Sequence, residues 1–104
     1  MKKDSTGKGD LLYESILELK TVEECRNFFE DLCTVAELRA MEQRLEVAMY
    51  LNDGLIYNDI LDRTGASSAT ISRVNRCLRY GAGGYQAVLP RMGAQWERVK
   101  SREE

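Results

Sequence analysis

The sequence predicts an all-α fold of about six helices, and three observations predict it. Apolar residues recur at three- and four-residue spacing, no alternating strand pattern is sustained, and capping residues precede the apolar runs. A chain of 104 residues suits one helical domain, 1–104, being too short for two independent cores.

Leu11, Leu12, Ile16 and Leu19 place a first helix over about 10–20, after a polar start. Thr21-Val22-Glu23-Glu24 is a capping box, in which a hydroxyl accepts an orphan amide and a carboxylate reaches back. It opens a second helix with Val22, Cys25, Phe28, Phe29 and Leu32 as its stripe. Thr34-Val35-Ala36-Glu37 repeats the device and opens a third helix to about Asn52, with Leu38, Met41, Leu45, Ala48, Met49 and Leu51 expected inward. Asn52-Asp53-Gly54 ends it.

Two short helices should follow, around a turn at Gly65. Ile60 and Leu61 give the first an inner face, Ser67 caps the second, and Ile71, Val74 and Leu78 point inward from it. Two helices joined by a short glycine-containing turn form a helix-turn-helix, here spanning about 57–79. Tyr80-Gly81-Ala82-Gly83-Gly84 reads as a flexible connection. Tyr85, Val88, Leu89, Met92 and Trp96 mark a last helix that Pro90 must start, break or kink. The termini, 1–9 and 98–104, are expected to be flexible.

Composition narrows function. No segment has the length or apolarity of a membrane span or signal core, so a cytoplasmic location without membrane contact is expected. Cys25, Cys33 and Cys77 are odd in number and show no C-x-x-C spacing, and histidine is absent. Buried small hydrophobes are the expectation for them, with no metal site and no cofactor. With neither a nucleophile–base pair nor a phosphate loop, an enzyme is not expected.

The net charge of −2 conceals an asymmetry. Carboxylates dominate from Glu14 to Asp62, whereas 63–96 contains Arg63, Arg73, Arg76, Arg79 and Arg91 and no Asp or Glu. Local field matters more than total charge for meeting phosphate. On the helix after Gly65, Ser68, Ser72 and Arg76 share one outward line, with Ala69 and Arg73 on the next. Small side chains near a helix start permit close approach to base edges, and arginines beyond can take phosphate or guanine. The expected DNA-binding set is Ser67, Ser68, Ala69, Thr70, Ser72, Arg73 and Arg76. The alternative, from another class, is a helical interaction module whose arginine face binds an acidic protein partner.

The run from Leu32 to Leu78 resembles the core of the tryptophan repressor family, and more closely its Trp-repressor-like bacterial branch. The residues that carry the resemblance are Thr34 with Glu37, Arg44, Gly54, Gly65-Ala66 and Ala69-Thr70-Ile71-Ser72-Arg73. It implies an interlocked homodimer that binds double-stranded DNA sequence-specifically and regulates transcription, as a repressor. It also implies an effector pocket at Thr34, Arg44, Arg73 and Cys77, the two arginines flanking a flat ring. Two departures weigh against tryptophan as effector and leave its identity unknown. Val74 stands where the family has a glycine beside the ring, and Cys77 replaces a hydroxyl. Arg44 and Arg73 are then expected to pair with Glu42, Glu46 or phosphate.

Overall fold

The computed structural model describes residues 7–103, all of whose regular elements are helical. Residues 1–6 and 104, parts of the termini expected to be flexible, lie outside them. The chain divides into two compact units, Met1–Leu38 and Arg39–Glu104.

The first unit holds α1 (Lys8–Leu17) and α2 (Val22–Leu32). α1 ends three residues earlier than the expected boundary. The amides of Glu18 and Leu19 bond back only three residues, to Ser15 and Ile16, which tightens and closes the last turn. Thr21 caps α2 by accepting from the Glu24 amide at 3.0 Å. The Glu24 carboxylate reaches past Thr21 to the amide of Lys20 at 2.8 Å, so the box closes one residue early. Neither helix buries a residue. Leu11, Leu17 and Val22 are 66%, 82% and 73% exposed.

α3 (Val35–Asn52) starts from the second capping box. Thr34 Oγ1 accepts from the Glu37 amide at 3.1 Å, and Glu37 Oε1 accepts from the Thr34 amide at 2.8 Å. The stop is a Schellman motif: Leu55 N–H donates to the Tyr50 carbonyl, Gly54 N–H donates to that of Leu51, and Gly54 adopts φ 91°.

The second unit has its core at the end of α3. The buried residues there are Val47, Ala48, Met49 and Tyr50, four in succession, and not a single stripe. Met41 and Leu45, expected inward, are 37% and 41% exposed. A helix buried on every side must be enclosed. α4 (Tyr57–Thr64) and α5 (Ser68–Tyr80) supply Ile60, Ile71 and Val74 to this core, and Leu89 and Trp96 come from the C-terminal segment.

That C-terminal segment is α6 (Gly84–Val88), a 3-10 turn at Leu89–Met92 and α7 (Gly93–Arg102). Pro90 sits in the first turn of the 3-10 element, where its missing amide costs nothing. Two differences from the sequence expectation stand out. Tyr80 belongs to α5, so the glycine connection shrinks to 81–83. Residues 98–102, expected to fray, are helical, and α7 is tied down along its length. Trp96 packs edge-on against Tyr50 at 4.8 Å and donates to Asp53 at 2.8 Å. Lys100 donates to the same carboxylate at 2.9 Å, and Tyr50 donates its phenol hydrogen to Glu103 at 2.6 Å. Burial and the Glu103 carboxylate push the Tyr50 hydroxyl up to about 12, only partly offset by Arg63.

Asp53 feels partial burial, which disfavours its charge. The bonds from Lys100 and Trp96 outweigh that effect and hold its carboxyl below the usual 3.8. A depressed carboxylate contributes stability that is present above its ordinary pKa and is lost as pH falls through the folded value. Asp53→Asn should therefore lower the melting temperature at pH 7 and flatten its decline below about pH 4, measured by circular dichroism across pH.

Candidate nucleic-acid interface

α4 and α5 meet through three residues, Gly65-Ala66-Ser67. Gly65 adopts φ 73°, a left-handed conformation costly for any residue with a Cβ, and its amide closes α4 on the Leu61 carbonyl. Ala66 is 1% exposed and seats the turn on the core. Ser67 caps α5 by accepting from the Thr70 amide at 3.1 Å and donates its own hydrogen to Thr70 Oγ1. The turn thus fixes where α5 begins and which face it buries.

That inner face is Ile71 and Val74, with Leu78 packed beside them. The other face carries the residues expected to meet DNA. Ser67, Ser68, Ala69, Ser72, Arg73 and Arg76 are all exposed, and Thr70 is half-buried at the flank beneath the cap. Their spacing puts Ala69 and Arg76 opposite the core, with Ser72 and Arg73 on either side. Among the described residues, neither Arg73 nor Arg76 makes an ion pair.

The remaining arginines of the basic stretch are not equivalent. Arg63 turns toward the C-terminal end, 3.5 Å from Glu103 and over the Tyr50 ring at 5.7 Å. Arg79 donates to the Asn75 side chain at 3.1 Å along its own helix. Arg91 is exposed on the 3-10 turn.

The four residues of the expected effector pocket are exposed as well. Thr34 lies in the first unit, with its hydroxyl and amide both engaged by Glu37. Arg73 and Cys77 stand one turn apart on α5, and Arg44 is on α3. The expected pairing of Arg44 and Arg73 with Glu42 or Glu46 does not occur: among the described residues neither arginine makes an ion pair. Val74, one position past Arg73, is 2% exposed and packs into the core.

Two residues join this region that sequence reasoning passed over. Tyr85, on α6, is half-buried against the core. Burial raises its hydroxyl pKa, negative charge on a Cys77 thiolate would raise it further, and Arg44 offsets part of the effect. Tyr85 thus lies within electrostatic reach of Arg44 and Cys77, two of the four expected pocket residues. Gln43, on α3, donates to the Thr64 carbonyl at 3.2 Å. Neither contact has a local sequence signal, because α6 follows a glycine run and Gln43 lies 21 residues from Thr64.

Two helices set at a glycine turn, the second with a capped start and an unpaired polar face, define a helix-turn-helix protein. The Trp repressor protein family model matches residues 8–93. The protein YerC of Bacillus subtilis strain 168, itself uncharacterised, is 54% identical over 83 residues, 80% of each chain. A crystal structure of a candidate Trp repressor from Staphylococcus aureus superposes with a TM-score of 0.78 at 48% identity, covering 81% of this chain and 84% of that one. A TrpR-like protein from Eubacterium eligens ATCC 27750 gives 0.78 at 50% identity, covering 81% and 87%. The chain belongs to the Trp repressor family.

If Gly65 sets the turn, a branched side chain there must strain it. Gly65→Val should destabilise the protein by roughly 1–2 kcal/mol and lower its thermal midpoint by several degrees, as measured by calorimetry.

Proposed function

We propose that this protein is a homodimeric, cytoplasmic transcription regulator, acting as a repressor, that reads double-stranded DNA with α5 in the major groove. The observation that carries the reading is the outward face of α5: exposed, without a carboxylate and with Arg73 and Arg76 unpaired, on a helix whose start is fixed by Gly65 and Ser67. Ser68, Ala69 and Ser72 are small enough to let the α5 backbone approach base edges, and Arg73 and Arg76 then reach guanine or phosphate. Family membership supports the same reading, as does the absence, among the described residues, of a helix long and apolar enough to cross a membrane.

Dimerisation follows from what the described chain leaves uncovered. α1 and α2 bury nothing, although Leu11, Leu12, Leu17, Val22 and Leu32 lie along them. Independently, the second unit has an apolar groove of about 280 Å³ between α3 and α7, lined by Leu45, Met49, Met92, Trp96 and Val99. Apolar area of this kind needs a partner, and a second copy supplies one in a closed, symmetric way. Two heads also double the base contacts and impose half-sites about 34–36 Å apart.

The effector, if the regulator takes one, is not tryptophan. Val74 occupies core space beside Arg73, and displacing such a side chain for a ring costs about 1–3 kcal/mol. Cys77 is a poor acceptor for an ammonium group.

Five measurements test this. Selection of duplexes from a random pool should enrich a palindromic site. Arg73→Ala and Arg76→Ala should each weaken binding to it by about 1–3 kcal/mol, with helicity unchanged; parental affinity in both would remove α5 as the reading head. Competition by the selected duplex far better than by a random polyanion separates DNA recognition from binding of an acidic protein. Sedimentation equilibrium at low micromolar concentration should give a dimer, and a folded monomer would overturn that part. Calorimetric titration with L-tryptophan should give no binding below about millimolar, and DNA affinity should be the same with and without it.

A further inference from the structure

The α4–α5 turn is held from outside as well as from within. Gln43 lies on α3, and its Nε2 donates to the main-chain carbonyl of Thr64, the last residue of α4, at 3.2 Å. Such a carbonyl has no partner inside its own helix, and left alone it would turn to water. Thr64 is the hub of the turn in its own right. Its hydroxyl donates to the Ile60 carbonyl at 2.7 Å and accepts from the Ala66 amide at 3.1 Å, spanning Gly65. Among the described residues, the Gln43 bond is the sole side-chain hydrogen bond from α3 to α4, α5 or the turn between them. The other contacts from α3 to this region are the Arg63 cation over the Tyr50 ring and apolar packing, which is non-directional, and neither engages the backbone of the turn.

We infer that Gln43 is a positioning residue for DNA recognition, which with Thr64 fixes the angle at which α5 leaves the turn. The inference rests on the proposal that α5 reads DNA. The lever is long: α5 has 13 residues and extends about 20 Å at the usual rise. A rotation of about 5° at the turn then carries Arg76, roughly 12 Å along the helix from Ser68, by roughly 1 Å. Base-edge hydrogen bonds do not survive errors of that size, whereas phosphate attraction changes little over the same distance. Loss of Gln43 should therefore reduce the preference for the correct sequence much more than it reduces affinity for DNA in general.

The test uses the full-length protein and the duplex that it selects. Gln43→Met keeps length and bulk and removes the donor. Thr64→Ser keeps the hydroxyl and Thr64→Val removes it. Gln43→Met and Thr64→Val should each lose about tenfold in affinity for the selected duplex and less than twofold for a scrambled one, while Thr64→Ser behaves as the parent. Gln43→Met and Thr64→Ser should keep the parental melting temperature, helicity and dimer mass, while Thr64→Val, which also loses the bonds to Ile60 and Ala66, should melt lower. Gln43→Met with the parental preference overturns the inference, as does an equal loss on both duplexes accompanied by a lower melting temperature, which marks a merely structural role. Parallel measurement of Arg76→Ala separates the two levels. If it binds normally, the DNA-reading proposal falls and this inference with it; if it fails while Gln43→Met binds as the parent, only the positioning role falls.

Discussion

Four consecutive residues of one helix, Val47 to Tyr50, are buried together, and much of the second unit follows from that constraint. Successive residues of a helix point about 100° apart, so four of them cover the full circle. The end of α3 must then be surrounded, which short α4, α5 and α7 can do only by packing around it. Tyr50 makes the enclosure polar on one side. Its buried hydroxyl needs an acceptor, and Glu103 supplies it at 2.6 Å from the last described residue. The same carboxylate draws Arg63 from α4, while Asp53 takes the Trp96 and Lys100 donors. α7 is thus attached from Trp96 to its C-terminal end, and through the Glu103–Arg63 pair to the helix-turn-helix as well.

This enclosure changes the meaning of the basic stretch. Arg63 lies in the carboxylate-free run but is directed to Glu103, away from the outward face of α5. Arg79 leans on Asn75. On the proposed reading, the arginines of the stretch left for a nucleic acid on α5 itself are Arg73 and Arg76, behind a start of serine and alanine, with Arg91 exposed on the 3-10 turn. On that reading, a compact cationic patch on a chain of net charge −2 favours selective binding over general adhesion, since the acidic remainder would repel DNA presented in any other orientation.

The local parts of this architecture were legible in the sequence because their causes are local. The capping box of Thr34 and Glu37, the glycines at 54 and 65 and the Ser67 cap each act within a few residues, and each is found where the spacing puts it. The inward face of α5 was legible for the same reason. What failed depends on contacts far along the chain. The stripe drawn through Met41 and Leu45 assumed a one-sided α3, and nothing near residue 47 announces that Leu89 and Trp96 will close over the other side. The tail appeared frayed because the acceptor role of Glu103 exists only through Tyr50, 53 residues away. Arg44 and Arg73 were given nearby carboxylates that they do not use. At the candidate site, the exposed α5 residues were visible as a pattern, whereas Gln43 and Tyr85 depend on tertiary placement alone.

The same packing bears on whether a ligand is needed to bring α5 into a reading position. A ligand shifts a conformational equilibrium only by its difference in affinity for the two states. In a regulator that waits for a corepressor, the space beside α5 must be open enough for the helix to move before the ligand arrives. Here Val74 fills its place in the core at 2% exposure, Ala66 anchors the turn, and Gln86 of α6 donates to the Leu78 carbonyl near the end of α5 at 3.2 Å. Tyr85, on the same short helix, packs against the core. Each of these contacts restrains α5 without any added molecule, and on the proposed reading they leave little free energy for a small ligand to supply. On the proposed reading, control of such a protein passes from a ligand to its own concentration, because only the dimer presents two heads at the half-site spacing.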